Sequence, residues 1–101
     1  MRIISTKTLR DYGEQHSAAE QPLLAWVDEV RKARWTQPAD IKVQFGNASI
    51  LKSRRVVFNI KGNDYRIVVA VAYKIGVVYI KFVGSHAEYD RIDANTVEDS
   101  A

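Results

Sequence analysis

The chain has 101 residues, about one domain's worth, with no cysteine and only two histidines, so a disulfide scaffold, a thiolate zinc site and a cysteine nucleophile are excluded together. Its net charge of +3 hides an asymmetry: residues 51–85 hold seven Lys/Arg against one acid, Asp64, whereas the last sixteen residues hold one arginine and five acids. Apolar stretches such as 67–73 fall far short of a membrane span and the start, Met1-Arg2-Ile3-Ile4-Ser5, has no signal-peptide pattern, so a soluble, cytoplasmic protein with no membrane partner is expected.

In chain order, residues 2–5 read as a short strand, and Ser5 or Thr6 can cap the helix that follows by accepting an orphan backbone N–H. That first helix runs over about 7–15, with Leu9 and Tyr12 on its inner side. A second helix follows, where Ser17 and Glu20 have capping-box spacing. Pro22 removes a hydrogen bond just past the first turn and would delay the regular helix by a residue or two. Beyond it Leu23, Trp26, Val27 and Val30 form one apolar stripe at i, i+3, i+4 and i+7, and Asp28, Glu29, Arg31 and Lys32 face water. The run from Trp35 to Pro38 breaks the pattern. A short third helix is expected over 38–45, Pro being tolerated in a first turn, and Gly46-Asn47 ends it.

From Arg55 the period changes to that of strands, over 56–61, 65–74 and 77–83, each rich in β-branched and aromatic residues. Gly62-Asn63-Asp64 and Ile75-Gly76 are short turns, so the strands should form an antiparallel meander. Residues 85–91 are too polar for a strand, and an acidic tail follows from about 93. This order predicts a single α+β domain over 1–101, with the N-terminal strand and helices on one face of an antiparallel sheet.

Strict alternation divides the meander into two faces. Tyr65, Ile67, Val69, Val71 and Tyr73 share one, with Val56, Phe58 and Ile60, and belong to the core. The other, expected to be uncovered, gathers Arg55, Asn59, Lys61, Arg66, Tyr79 and Lys81 around the small Val68, Ala70 and Ala72. Such a basic surface suits a polyanion, nucleic acid being the obvious candidate. His16 and Trp26 read as structural.

The run Phe58-Asn59-Ile60-Lys61-Gly62-Asn63-Asp64-Tyr65-Arg66, followed by Phe82-Val83-Gly84-Ser85-His86-Ala87-Glu88-Tyr89-Asp90, resembles the HigB toxins of bacterial type II toxin–antitoxin systems. Glu20-Gln21-Pro22-Leu23, Trp35 and Pro38-Ala39-Asp40-Ile41 extend the likeness over nearly the whole chain. The resemblance implies the RelE/ParE-like fold and ribosome-dependent cleavage of mRNA in the 30S A site. It also implies a HigA-type helix-turn-helix antitoxin as partner, with operator DNA reached only through that antitoxin.

Metal-free, cofactor-free RNA cleavage needs a base for the ribose 2′-OH, positive charge around a phosphorane-like transition state, and an acid for the departing 5′-oxygen. Arg66 is the expected phosphate clamp. Lys61 and Lys81 are candidates for charge stabilisation or base work. His86, the one loop imidazole near the basic stretch, is the natural proton carrier, at about the point where RelE-type enzymes place an arginine and other relatives a histidine. Tyr89 and Asp90 can exchange protons or orient His86. Lys52, Arg54, Arg55, Asn59 and Tyr79 are the expected RNA contacts. One departure is visible: where the RelE pattern has Lys-x-Lys before the Tyr-Arg pair, this chain has Asn59-x-Lys61. The competing readings are a ParE-like, non-nuclease toxin acting on DNA gyrase and a non-toxic RNA-binding module.

Overall fold

The alternating Val, Ile and Phe of the C-terminal half build a sheet, and the helical stripe of the N-terminal half builds the layer that covers it. A computed structural model describes residues 1–98. The elements run β1 (Arg2–Ile4), α1 (Thr6–Gln15), α2 (Ser17–Lys32), α3 (Pro38–Gln44), β2 (Ser49–Ile50), β3 (Arg55–Ile60), β4 (Tyr65–Ala72), β5 (Val77–Ser85) and α4 (His86–Tyr89). The expected acidic tail is therefore seen to Glu98, and residues 99–101 lie outside the described residues.

The sheet has five strands in the order β1-β5-β4-β3-β2. Strands β3, β4 and β5 form the antiparallel meander read from the sequence. Two short edge strands refine that picture. β2 pairs antiparallel with β3, and β1 runs parallel to β5, with Arg2 opposite Val77 and Ile4 opposite Tyr79. The sheet is thus mixed, and the N-terminal strand lies at its edge within the sheet layer. No helix among the described residues is long and apolar enough to cross a membrane.

The helix starts differ from expectation for a local reason. Ser5 stands at the N-cap of α1 in a left-handed conformation (φ 75°) and makes no side-chain cap bond. The capping-box spacing of Ser17 and Glu20 goes unused: α2 begins at Ser17, His16 is its N-cap, and Pro22 lies inside it. Only His16 separates the two helices, and its carbonyl accepts from the Ala19 N–H at 2.8 Å, so the preceding backbone serves an orphan donor directly.

Leu9, Leu23, Trp26 and Val30 pack with Phe58, Ile67 and the other inward residues of the meander in the main core. Trp26 meets Phe58 edge-on with ring centroids 5.3 Å apart, and Trp35, at the break after α2, stacks on the same ring at 6.0 Å.

The opposite face is covered, which corrects the expectation of an open basic surface. Val57 and Val68 pack with Ala94, and Leu51, Phe82, Ile92 and Val97 close around them. The residues after α4 fold back as a strap over the sheet. Val57 and Val68 lie on that face by plain alternation, and a β-bulge adds Phe82 to them. Val68 pairs with Phe82 while Val69 pairs with Ile80, leaving Lys81 as the extra residue. Past the bulge the alternation inverts: Val83 packs on the main core and Phe82 joins the strap side. With Phe82, Val57 and Val68 on it, that face carries an apolar patch that needs burial, and Ala94 and Val97 supply it.

Candidate active site

At one end of the sheet the β3–β4 turn meets α4. Strand β5 runs two residues past its expected end, to Ser85, where the chain turns into a helix through a reciprocal capping box. The Ser85 Oγ accepts from the Glu88 N–H (3.1 Å), and the Glu88 Oε1 accepts from the Ser85 N–H (2.8 Å). The segment read as a polar loop is therefore a fixed turn of helix. The His86 N–H donates to the Asp64 carbonyl at 2.9 Å, tying that helix to the β3–β4 turn.

His86 is exposed, and its Nδ1 lies 3.0 Å from Asp90 Oδ2, one helical turn on. The carboxylate therefore stands within ion-pair distance of the ring, where it favours a positive charge on the imidazole. Lys61 falls just beyond β3, in a left-handed conformation (φ 53°), and its Nζ is 3.9 Å from Asp64 Oδ2. Arg66, opposite Asn59 on β3 and Gly84 on β5, is buried. Its Nη1 donates to the Asn63 and Tyr65 carbonyls (3.1 and 3.2 Å), and its Nη2 to Asn63 Oδ1 (2.6 Å). Its guanidinium carbon lies 5.7 Å from the centroid of the Tyr89 ring, a cation–π contact. The turn and α4 thus link Lys61, Arg66, His86, Tyr89 and Asp90 through Asn63 and Asp64.

The other expected site residues fall in different places. Arg55 is 7% exposed; its Nη1 donates to the carbonyls of Ala94 (3.1 Å) and Val97 (2.6 Å), and its Nη2 to Glu98 Oε1 (2.7 Å). Lys81 donates to Glu98 Oε2 at 2.7 Å and lies 5.9 Å from the ring of the exposed Tyr79. The hydrogen bond from Lys81, with the nearby Arg55 charge, holds the Glu98 carboxyl below the ordinary glutamate value. Lys52 and Arg54 are exposed on the turn between β2 and β3. His16 is structural, as read: it stacks on Tyr12 with centroids 3.9 Å apart.

Three contributors were not singled out from sequence. Asn63 holds Arg66, Glu88 caps α4, and Glu98 engages two cations. For Glu88 a signal existed, the Ser85-x-x-Glu88 spacing; for Glu98 none did, because its partners are set by a fold-back of the chain.

Residues 19–92 match the family model of the HigB toxin, described as the RelE-like toxic component of a toxin–antitoxin system. The chain belongs to the HigB toxin family. Curated relatives include an "mRNA interferase toxin HigB" from Escherichia coli strain K12 and proteins named "mRNA interferase HigB" from Escherichia coli O157:H7 and Shigella flexneri. Each is 30% identical over 92 residues, covering 89% of this chain and 88% of the relative. The HigB match begins early in α2 and ends just past α4, so it takes in the whole meander and the His86 helix. It stops before residues 93–98 of the strap.

Proposed function

We propose that this HigB-family chain, read as one toxin domain over 1–101, is an mRNA interferase: an endoribonuclease that cuts mRNA in the ribosomal A site without a metal and so halts translation. It acts in the cytoplasm, is neutralised by a HigA-type helix-turn-helix antitoxin, and meets operator DNA only through that antitoxin. The relatives' names support the activity. The observation that carries the reading is the His86–Asp90 pair at 3.0 Å on a capped helix, beside the Arg66–Tyr89 contact at 5.7 Å.

In the cleavage step the ribose 2′-oxygen attacks the adjacent phosphorus. The O2′–P bond forms and the P–O5′ bond breaks, giving a 2′,3′-cyclic phosphate and a free 5′-OH. One proton leaves the 2′-OH and one reaches the 5′-oxygen. His86 carries one of these transfers while the Asp90 carboxylate, 3.0 Å from Nδ1, stabilises the imidazolium; the Tyr89 phenol serves the other. Lys61 and Arg66 offset the charge that builds on phosphorus; Lys81, held by Glu98 at the bulge of β5, stands apart from them. A two-point grip by Arg66 requires its Nη2 to exchange Asn63 Oδ1 for a phosphate oxygen. Lys52, Arg54 and Asn59 track the RNA backbone, and Tyr79 offers an aromatic surface to a base.

The test is primer extension on mRNA after incubation of the protein with programmed ribosomes. Cuts are expected at A-site codons, with little cleavage of free RNA. His86→Ala and Arg66→Ala should each slow cleavage by about 10²-fold or more. Cleavage by either variant at the wild-type rate overturns the site assignment. Inhibition of gyrase supercoiling without any RNA cut would instead favour the non-nuclease reading.

A further inference from the structure

The strap lies on the face assigned to RNA, and its end makes an unusual contact there. The Glu98 carboxylate spans two cations, with Oε1 2.7 Å from Arg55 Nη2 and Oε2 2.7 Å from Lys81 Nζ. A phosphodiester presents the same chemistry: two non-bridging oxygens sharing one negative charge, each suited to a charged N–H donor. The Glu98 side chain is 62% exposed, so these two contacts hold it rather than burial. The strap is anchored upstream, where Ala94 is buried and the Arg55 Nη1 grips the carbonyls of Ala94 and Val97. Glu98 can therefore leave the cations while the remainder of the strap stays in place.

We propose that Arg55 and Lys81 form a binding site for a backbone phosphate of single-stranded RNA, and that Glu98 occupies it as a built-in competitor until RNA displaces it. This rests on the reading of the strap face as the RNA face, and adds to it an antagonist within the same chain. Tyr79, 5.9 Å from the Lys81 ammonium, sets an exposed ring beside the phosphate position, where a neighbouring base can stack. Solvent around the exposed Glu98 carboxylate keeps its pairing with the buried Arg55 and the part-buried Lys81 weak. A displaceable competitor has to be so: it lowers RNA affinity several-fold without blocking the site.

The probe is a single-stranded RNA of roughly 12 nucleotides with 2′-O-methyl sugars, which binds as RNA but lacks the attacking hydroxyl. Its affinity is read by fluorescence anisotropy at about 50 mM salt, where phosphate contacts are strong. Glu98→Gln keeps the side chain's size and removes its charge, and should tighten binding about three- to tenfold. In a Lys81→Ala background the same change should give no gain. Glu29→Gln removes an equal charge from an exposed position on α2 and should alter affinity less than about twofold. Equal affinities for wild type and Glu98→Gln, or an equal gain from Glu29→Gln, overturn the proposal.

A second measurement needs no variant. On titrating this RNA into the wild-type protein, the amide resonances of Val97 and Glu98 should shift; saturation with both unmoved also overturns the proposal. Because the probe cannot be cut, the result is separable from the nuclease reading. A protein that cuts mRNA but shows no Glu98 effect loses only the competitor. One that shows the Glu98 effect yet cuts nothing on ribosomes loses only the nuclease.

Discussion

The Tyr12 phenol donates a hydrogen bond to the Glu88 carboxylate at 2.8 Å, joining residues 76 positions apart. The same Oε1 accepts the Ser85 N–H that closes the cap of α4, so one oxygen ties the first helix to the helix that carries His86. Burial, and then this bond, push the Tyr12 phenol well above its ordinary value. Donation from the Ser85 backbone, and then from Tyr12, holds Glu88 below its own. Tyr12→Phe deletes the bond and keeps the ring stacked on His16. It should cost about 0.5–1.5 kcal/mol in denaturant unfolding. Ribosome-dependent cleavage should fall several-fold, since a loosened α4 misplaces His86. Full activity with a stability loss would show that the bond matters to the fold alone.

The Glu88 shift also fixes a pH dependence. Its folded-state value lies below the unfolded one, so its contribution to stability is complete above the unfolded value, about 4.3, and is lost as pH falls through the folded value. The stability difference between wild type and Glu88→Gln should therefore be constant from about pH 7 to pH 5 and shrink below about pH 4. Urea melts at a series of pH values read this directly; a difference that persists undiminished at pH 2 would argue against the ionised cap.

How much of this was legible beforehand depended on the range of the interaction. The stripe of Leu23, Trp26 and Val30 and the alternation of Ile67, Val69 and Val71 are periodic over many residues, and both faced the core as read. The two capping-box spacings, Ser17 with Glu20 and Ser85 with Glu88, look alike in sequence, yet only the second forms. At the first, His16 leaves no gap between helices for a cap to fill. The bulge at Lys81 has no local signature, and one extra residue was enough to exchange the faces of Phe82 and Val83. The expected site divided accordingly. His86, Arg66, Tyr89 and Asp90 came together because they flank one turn and one helix, whereas Arg55 and Lys81 met an unforeseen strap.

Gly84 marks the tightest approach near the candidate site. A Cβ placed there would lie 2.5 Å from the Phe82 ring edge and 3.1 Å from Glu88 Cβ, so strand and α4 meet only over a bare backbone. The Phe82 ring cannot yield freely, since it packs against the Val57 and Val68 cluster and sits 6.5 Å from Tyr89. Gly84→Ala should destabilise the protein by about 1–3 kcal/mol. It should also move the Tyr89 ring from over Arg66, visible as a change in the Arg66 side-chain resonances. An alanine variant as stable as wild type would mean that the ring finds another rotamer at no cost.

On the helix side of the sheet, the Tyr73 ring packs against the main core, but its hydroxyl is buried with no hydrogen-bond partner among the described residues. Burial also raises its pKa, with the Asp40 charge adding to the effect. A buried hydroxyl without a partner forfeits its hydration and regains nothing. Tyr73→Phe keeps the ring and removes that liability, so it should stabilise the protein by about 1 kcal/mol and raise Tm by about 4–8 °C. Cleavage should be unchanged, because Tyr73 follows the end of β4 remote from the Ser85 end that leads into His86, and it packs on the face away from the strap. A drop in Tm on this substitution would reveal a bound water or a partner for the hydroxyl, and would reassign Tyr73 from an apolar filler to a polar anchor of the core.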